Sequence, residues 1–307
     1  MSNMLHLSPS PHIHTNRSTA RIMLDVIISL IPAAVAGILL FGMRAALVVA
    51  VCIVSAVVSE AVFNFIIKKE QTIGDLSAVV TGLLLGLNLP ANIPLWQAVA
   101  GCIFAIVFVK CCFGGLGCNM VNPAITARVV MVISFGSMAT TAFPVDTVAG
   151  PTPLAVITRS VMPQLDVLFW GKIGGTIGET CVPALLIGFI YLLARKVITW
   201  HLPVAYILTT FLFTMAIFDG NAMMALADVM SGGLLLGAIF MATDYVTSPS
   251  TPWGKVIFGI GAGLITVIIR IWGVYPEGVS FAILLMNILT PYIDKWSALK
   301  IFGGKKA

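Results

Sequence analysis

The chain has 307 residues, of which 59% are hydrophobic and only 9% are charged. Soluble domains usually carry about 25% charged residues, so this chain has too few charges to cover a water-facing surface. The composition excludes a soluble domain and predicts an all-α membrane protein, because helices satisfy their own backbone hydrogen bonds in lipid. The formal net charge is +5, but the basic residues fall between apolar stretches. This distribution favours lipid as a partner and excludes nucleic acid.

Ten apolar stretches follow one another along the sequence. A complete helical span needs about 20 apolar residues, and two of the ten stretches are shorter than that. The first stretch is long enough to span and shows no obvious cleavage site, so it is predicted to be an uncleaved helix. The candidate spans cover residues 22–42, 45–67, 76–91, 95–113, 119–135, 177–194, 202–218, 229–243, 255–273 and 277–293.

The two short stretches, 76–91 and 229–243, indicate an internal repeat. Each contains the string Gly-Leu-Leu-Leu-Gly, and each is preceded or opened by an aspartate, Asp75 or Asp228. Each then leads into a glycine-rich span that ends in a basic residue. Since five spans is an odd number, a second copy enters the bilayer from the opposite side, which predicts inverted repeats with short broken helices near the midplane. The alternative is that Gly-Leu strings recur by chance in an apolar chain.

The repeat and the basic residues together predict the organisation of the chain. Basic residues concentrate on the cytoplasmic side of membrane proteins. With the N-terminus inside, twelve lie on the inner side, including Lys110, and four on the outer side, including Arg270. We therefore predict a multi-pass inner-membrane protein with both termini in the cytoplasm. Its parts are a cytoplasmic N-terminal segment (1–21), a first repeat (22–135), an outer loop (136–176), a second repeat (177–293) and a cytoplasmic basic tail (294–307).

Five charged residues fall within or beside the spans: Asp25, Glu60, Arg128, Asp244 and Glu277. A charge in lipid is costly, so each of these side chains should face the protein interior or a cavity. Asp25 and Glu277 lie near span ends, where water can solvate them. Arg128 lies nine residues into its span, and Glu60 or a bound anion is its expected partner.

Two polar strings border the spans. Phe113-Gly-Gly-Leu-Gly-Cys-Asn119-Met-Val-Asn122-Pro-Ala places Asn119 as the predicted N-cap of the next helix and Asn122 in its first turn. Helix N-termini offer N–H groups to anions, although the string alone reads as a tight cytoplasmic turn. The second string, Met-Ala-Thr243-Asp244-Tyr-Val-Thr-Ser-Pro, sets an acid among hydroxyls. An acid in this setting would coordinate a cation or form a hydrogen bond with a polar ring. The alternative is that the string is only the polar end of a helix.

A third string, Asp146-Thr-Val-Ala-Gly150-Pro-Thr152-Pro-Leu, lies in the outer loop. By itself it indicates a turn that contains a threonine hydroxyl. Long loops without structure of their own are uncommon and usually functional.

The six cysteines form no C-x-x-C pair and mostly lie in or beside apolar stretches, so we interpret them as apolar filler. The alternative is an iron–sulfur contribution from Cys111, Cys112 or Cys118 together with another subunit. No catalytic residue and no metal site are predicted.

Taken together, the three strings resemble the RnfD family of Rnf-complex membrane subunits and its relative, the subunit termed B of the sodium-translocating NADH:quinone reductase. The N-terminal Ser10-Pro-His also resembles that family, and the resemblance covers essentially the whole chain. It implies a membrane-embedded, flavin-carrying electron-transfer subunit of an ion-translocating ferredoxin:NAD oxidoreductase, coupling redox to Na⁺ or H⁺ movement. It also implies partners, namely the other membrane subunits of the Rnf complex and a flavin-bearing outer subunit.

The resemblance further implies the cofactors. The family attaches FMN through its phosphate to a threonine in an Asp-x-x-Ser-Gly-Ala-Thr-Pro-Leu context, which is Thr152 here, with Asp146 and Gly150 kept. Ala149 and Pro151 depart from the pattern. A second, non-covalent flavin, riboflavin, is allowed between the repeats. The remaining candidate cofactor-binding residues are Arg128, Asn119, Asn122, Thr243 and Asp244.

Two other functions fit the same pattern of spans. A small-solute channel or transporter also uses inverted five-segment repeats, and a passive anchor for other subunits needs no flavin. Fold analogy does not decide among them, because function lies in the site. In the leading interpretation the chain is part of a translocase and carries out no complete reaction on its own.

Overall fold

The computed structural model describes residues 18–135, 164–273 and 277–298. Every regular element in these ranges is a helix, which confirms the all-α prediction. The helices are α1 (Thr19–Phe41), α2 (Met43–Ile67), α3 (Ser77–Leu87), α4 (Leu95–Cys111), α5 (Pro123–Ser134), α6 (Leu165–Trp170), α7 (Val182–Ala194), α8 (His201–Ile217), α9 (Ala222–Met230), α10 (Leu234–Met241), α11 (Pro252–Trp272) and α12 (Val279–Ser297).

Three of the described helices, α1, α2 and α11, are long and apolar enough to cross a membrane alone. Helices α9 and α10 meet at a bend of 68° and add a fourth span if they are taken together. Large apolar side chains point outward from the long helices; Leu39 is 79% exposed and Phe65 is 78% exposed. Such a surface suits lipid and supports an integral membrane protein. The count of ten spans stays a prediction.

Local sequence sets where the first two helices begin and end. The Ser18 side chain accepts a hydrogen bond from the Arg21 N–H at 3.4 Å and caps α1, which therefore begins before the predicted residue 22. Helix α1 ends at Gly42, whose φ is 76°. A residue with a side chain is strained at this φ, so the glycine lets α2 begin at the next residue.

The glycines of the two repeated strings have different surroundings. In α3, a Cβ at Gly82 would lie 2.7 Å from the carbonyl oxygen of Cys52, so a glycine is needed for α3 to approach α2 this closely. In the second string, Gly233 belongs to the bend between α9 and α10. The second broken element also begins earlier than predicted, because Asn221 caps α9 and Asp228 lies inside that helix.

The predicted halves contact each other through their first and last helices. Helix α1 packs against α7, and α5 packs against α12. Within the halves, α2 packs against α4, and α8 packs against α11. Two copies of one five-helix unit would make such contacts, while the repeat and its inversion both stay predictions.

The basic residue at the end of α4 is buried in the first half. Lys110 is 1% exposed, and its Nζ lies 2.8 Å from Glu60 Oε1 of α2. It also donates a hydrogen bond to Ser77 Oγ at the start of α3 over 2.5 Å. Lys110, counted from the sequence as an inner-side charge at a span end, is thus held in an interior ion pair and is not exposed to water.

The basic residue at the end of α11 has a corresponding place in the second half. Arg270 Nη1 lies 2.9 Å from Asp228 Oδ1, and Arg270 Nη2 donates to the Ser231 carbonyl in the bend at 3.0 Å. Thr214 of α8 donates to Asp228 at 2.9 Å. Arg270, counted from the sequence as an outer-side charge at a span end, is likewise buried. Since Lys110 and Arg270 were assigned to opposite sides, the inner excess of basic residues is unchanged.

Candidate functional site

Asn122 starts α5 and ties it to the second half. Its Oδ1 accepts a hydrogen bond from the Ala124 N–H at 3.0 Å, and its Nδ2 donates to the carbonyl of Met241 at 3.2 Å. Asn122 is therefore the N-cap, and the assignment of that role to Asn119 is wrong. The reason is Pro123, which suits the first helical position because its missing N–H is not needed there.

The second polar string forms a turn directly after α10. Thr243 Oγ1 donates back to the Ile239 carbonyl at 2.6 Å. The Asp244 side chain accepts from Thr247 Oγ1 at 3.2 Å, and the Asp244 carbonyl accepts from the Ser248 N–H at 3.1 Å. These bonds hold the half-buried Asp244 in place at the helix end.

The two strings line one cavity of about 80 Å³. Its apolar wall comes from α1, α3, α7 and α10. Its polar wall brings together four of the candidate site residues and adds the lysine at the end of α4: Asn119, Asn122, Thr243, Asp244 and Lys110. The structure thus unites residues that are more than a hundred positions apart in the chain.

The polar groups of the cavity are suited to a polar ligand. Lys110 supplies a cation and Asp244 an acid. Asn119 is 8% exposed, and its Oδ1 has no hydrogen-bond partner in the described part of the chain. A few placed polar groups in an apolar wall are typical of small-molecule sites. A water needs about 10–15 Å³ of such space, so the cavity has room for a few waters and is small for a ring system.

A second cavity of about 380 Å³ adjoins the first. Lys196 and Lys255 line it and give it a positive charge. Tyr245 lines both cavities, and its hydroxyl donates a hydrogen bond to the Val197 carbonyl. The residues common to both walls are Val197, Ile198, Thr243 and Tyr245.

Arg128 does not line either cavity. Its guanidinium contacts the carboxylate of Glu277 and the side-chain oxygen of Asn88, and it lies 3.9 Å from Glu179 Oε2. The expectation that Glu60 pairs with Arg128 is wrong, because Glu60 pairs with Lys110. Sequence reasoning missed Glu179, although an acid at the third position of the candidate span 177–194 was a signal for it.

The other predicted site residues fall into two groups. Asp25 is 13% exposed and forms an ion pair at 3.2 Å with Arg195, which is 58% exposed, and its solvation by water stays a prediction. Asp146, Gly150 and Thr152 lie outside the described residues, and the flavin attachment site stays a prediction. Among the described residues, no group of three metal-binding side chains occurs.

Known proteins resemble this chain over nearly its whole length. One relative is the subunit termed D in the Na⁺-translocating ferredoxin:NAD⁺ oxidoreductase complex of Acetobacterium woodii, 48% identical over 98% of this chain and 96% of the relative. Another is the subunit termed D in the proton-translocating ferredoxin:NAD⁺ oxidoreductase complex of Clostridium ljungdahlii, 40% identical over 99% of this chain and 98% of the relative. The corresponding subunit of the ion-translocating oxidoreductase complex of Escherichia coli is 32% identical over 99% of both chains.

These relatives are subunits of ion-translocating oxidoreductase complexes. The family model agrees with them, since the model of the NQR2, RnfD, RnfE family matches residues 6–303. The chain therefore belongs to the NQR2, RnfD, RnfE family.

Proposed function

We propose that the chain is a flavin-carrying electron-transfer subunit of a membrane complex that couples ferredoxin:NAD oxidoreduction to ion movement. The observation that carries the proposal is the 48% identity to the Acetobacterium woodii subunit over 98% of the chain. One relative is named for Na⁺ and another for protons, so the proposal includes both ions. The partners are the other subunits of such a complex.

In this proposal, Thr152 carries FMN as a phosphoester on the outer side of the membrane. Thr152 supplies the hydroxyl oxygen, and Asp146 and Gly150 belong to the same sequence string. When bound, a flavin supplies electron transfer, and the protein supplies its position and surroundings.

The cavity between the two polar strings is the proposed site of a non-covalent flavin, riboflavin. Asn119 Oδ1 has no hydrogen-bond partner in the described residues, and Asp244 and Lys110 line the same wall, so the wall offers both donors and acceptors to a polar ring. Ligand pockets usually have about 300–1,000 Å³, so the ring needs more space than the first cavity. Displacement of Tyr245 would join the first cavity to its neighbour of about 380 Å³.

Thr152→Ala is expected to abolish flavin fluorescence on the denatured polypeptide, because the attachment oxygen is removed. Thr147→Ala and Thr158→Ala are the matched controls and should keep the fluorescence. Peptide mapping of the parent protein checks the same point directly. Flavin on another residue would contradict the assignment, and absence of every flavin would favour the small-solute transporter.

The same preparations test the non-covalent site through the flavin that denaturation releases. Asp244→Asn removes a charged hydrogen-bond partner from the cavity, and such a bond contributes about 1.5–3 kcal/mol. The affinity for extractable flavin should fall about tenfold or more, while covalent fluorescence is unchanged. Asp25→Asn, which alters a carboxylate that does not line the cavity, is the control. Equal flavin content in both variants would exclude Asp244 from the site.

We also place ten spans in the membrane as inverted repeats with both termini in the cytoplasm. The reason is the excess of basic residues on the inner side. A reporter fused after Gly171 should be active outside the cell, and one fused to the C-terminus should be active inside. Activity of the C-terminal fusion on the outer side would contradict this orientation.

A further inference from the structure

The cluster around Arg128 contains one more acid than base. Arg128 is 3% exposed and Glu179 is 5% exposed, while Glu277 is 36% exposed. Arg128 contacts Glu277 directly and lies 3.9 Å from Glu179, so Glu277 is its main partner. If all three side chains were ionised, the cluster would carry a net negative charge in a water-poor interior. An uncompensated buried charge of this kind is strongly destabilising.

Glu179 is the carboxylate of the cluster that has one oxygen without a hydrogen bond in the described residues. Its Oε1 accepts a hydrogen bond from the Thr176 N–H at 2.9 Å. Its Oε2 faces Arg128 but has no hydrogen-bond partner in residues 18–135, 164–273 and 277–298. The buried hydroxyls of Thr176 and Thr180 are likewise unpartnered there. Ionised buried carboxylates are stabilised when they accept about two or three hydrogen bonds. Glu179 accepts fewer, because its Oε2 accepts none in the described residues.

The cluster lies against the break between α9 and α10. A Cβ at Gly233 would be 3.1 Å from Glu179 Oε2 and 3.3 Å from Arg128 Nη1, so the bend packs directly on the cluster. Across the bend, Arg270 pairs with Asp228 one to one. That pair is balanced, so it does not compensate the charge of Glu179.

We propose that Glu179 is a proton-binding site, which holds a dissociable proton while Glu277 stays ionised beside Arg128. The neutral acid gives the cluster a net charge of zero. A proton needs no coordination cavity, which suits the close packing of Gly233. When the proton leaves Oε2 for water, the carboxylate remains and competes with Glu277 for Arg128. Glu277 is the exposed member of the cluster and gives it access to water.

Infrared spectroscopy of the full-length protein tests the proposal, because the C=O stretch of a neutral carboxylic acid is distinct from carboxylate bands. We expect a carboxylic-acid band in the wild type that disappears at high pH and is lost in Glu179→Gln. Glu277→Gln should lose the band as well, since Arg128 then pairs with Glu179 and favours its ionised form. Glu60→Gln is the matched control and should keep the band, because Glu60 is paired one to one with Lys110.

Two results would overturn the proton site: a band that persists in Glu179→Gln, or a wild type without the band at every pH. Addition of Na⁺ at fixed pH should leave the band unchanged, and its loss on Na⁺ addition would overturn the assignment to a proton. A role of Glu179 in ion transport rests on the proposed function and is measured separately, as ions moved per electron transferred. If the band behaves as expected but no ion moves, the proposed function fails and the proton site stands.

Discussion

Lys110→Met is expected to lower the free energy of unfolding by about 3–5 kcal/mol, because it leaves Glu60 as an unpaired buried carboxylate. Both side chains are 2% exposed, and the Lys110 Nζ lies 2.8 Å from Glu60 Oε1. The lysine also holds Ser77 at the start of α3, so its loss frees that helix end. Denaturant unfolding of the purified chain in detergent measures the effect.

The matched control is Arg195→Met, which breaks the ion pair between Asp25, 13% exposed, and Arg195, which is 58% exposed at the surface. Exposed pairs contribute about 0–1 kcal/mol, so this variant should be close to the parent. The double variant Glu60→Gln with Lys110→Met removes both charges and should recover most of the lost stability. If Lys110→Met costs no more than Arg195→Met, Glu60 does not carry a charge that needs Lys110.

Arg128→Leu is expected to have an effect of the same size or larger, about 3–5 kcal/mol, with less folded protein and less bound flavin. The guanidinium joins α5 to Glu277 before α12 and to Asn88 after α3. Its removal separates three segments and leaves Glu277 unpaired. Unfolding in detergent and the flavin content of the purified protein are the two measurements.

Two further variants separate the loss of the guanidinium contacts from the cost of leaving Glu277 unpaired. Arg128→Lys keeps the charge but cannot contact two partners with a planar fork, so an intermediate loss is expected. Glu277→Gln added to Arg128→Leu should restore part of the stability, because the unpaired carboxylate is removed. Parent-like unfolding and flavin content in Arg128→Leu would show that the buried guanidinium is merely tolerated.

The sequence predicted the positions of the helices better than the ion-pair partners of the charged side chains. The apolar stretch 22–42 corresponds to Thr19–Phe41, and 45–67 corresponds to Met43–Ile67, because the length of an apolar run is a local property. The errors at helix starts were also local. Asn122 rather than Asn119 caps α5, and α9 begins at Ala222, seven residues before the predicted 229.

The ion pairs could not be predicted because they join distant segments. Arg128 and Glu277 are 149 positions apart in the sequence, and only packing of α5 on α12 brings them together. The depth of Arg128 in its span correctly indicated a buried charge that needs compensation. It could not indicate which of several acids lies beside it.

The site was predicted in part because two strings of unusual composition border the apolar stretches. Asn119, Asn122, Thr243 and Asp244 were chosen as separate motifs, and the structure places them in one cavity wall. Lys110 was not chosen, since a basic residue at a span end normally reports topology. A lysine that recurs as an arginine at the matching place of a second repeat was the signal for an interior role.

The hydrogen bond from Asn122 to the Met241 carbonyl joins the two halves at the cavity wall. Since each half contributes one side of that wall, a rigid rotation of one half against the other changes the width of the cavity without unfolding a helix. A ligand bound in the cavity shifts the equilibrium between two rotational states toward the state that binds it more tightly. The size of this shift is the ratio of the ligand's affinities for the two states. Reciprocally, any partner that rotates the halves adjusts the affinity of the cavity by the same factor.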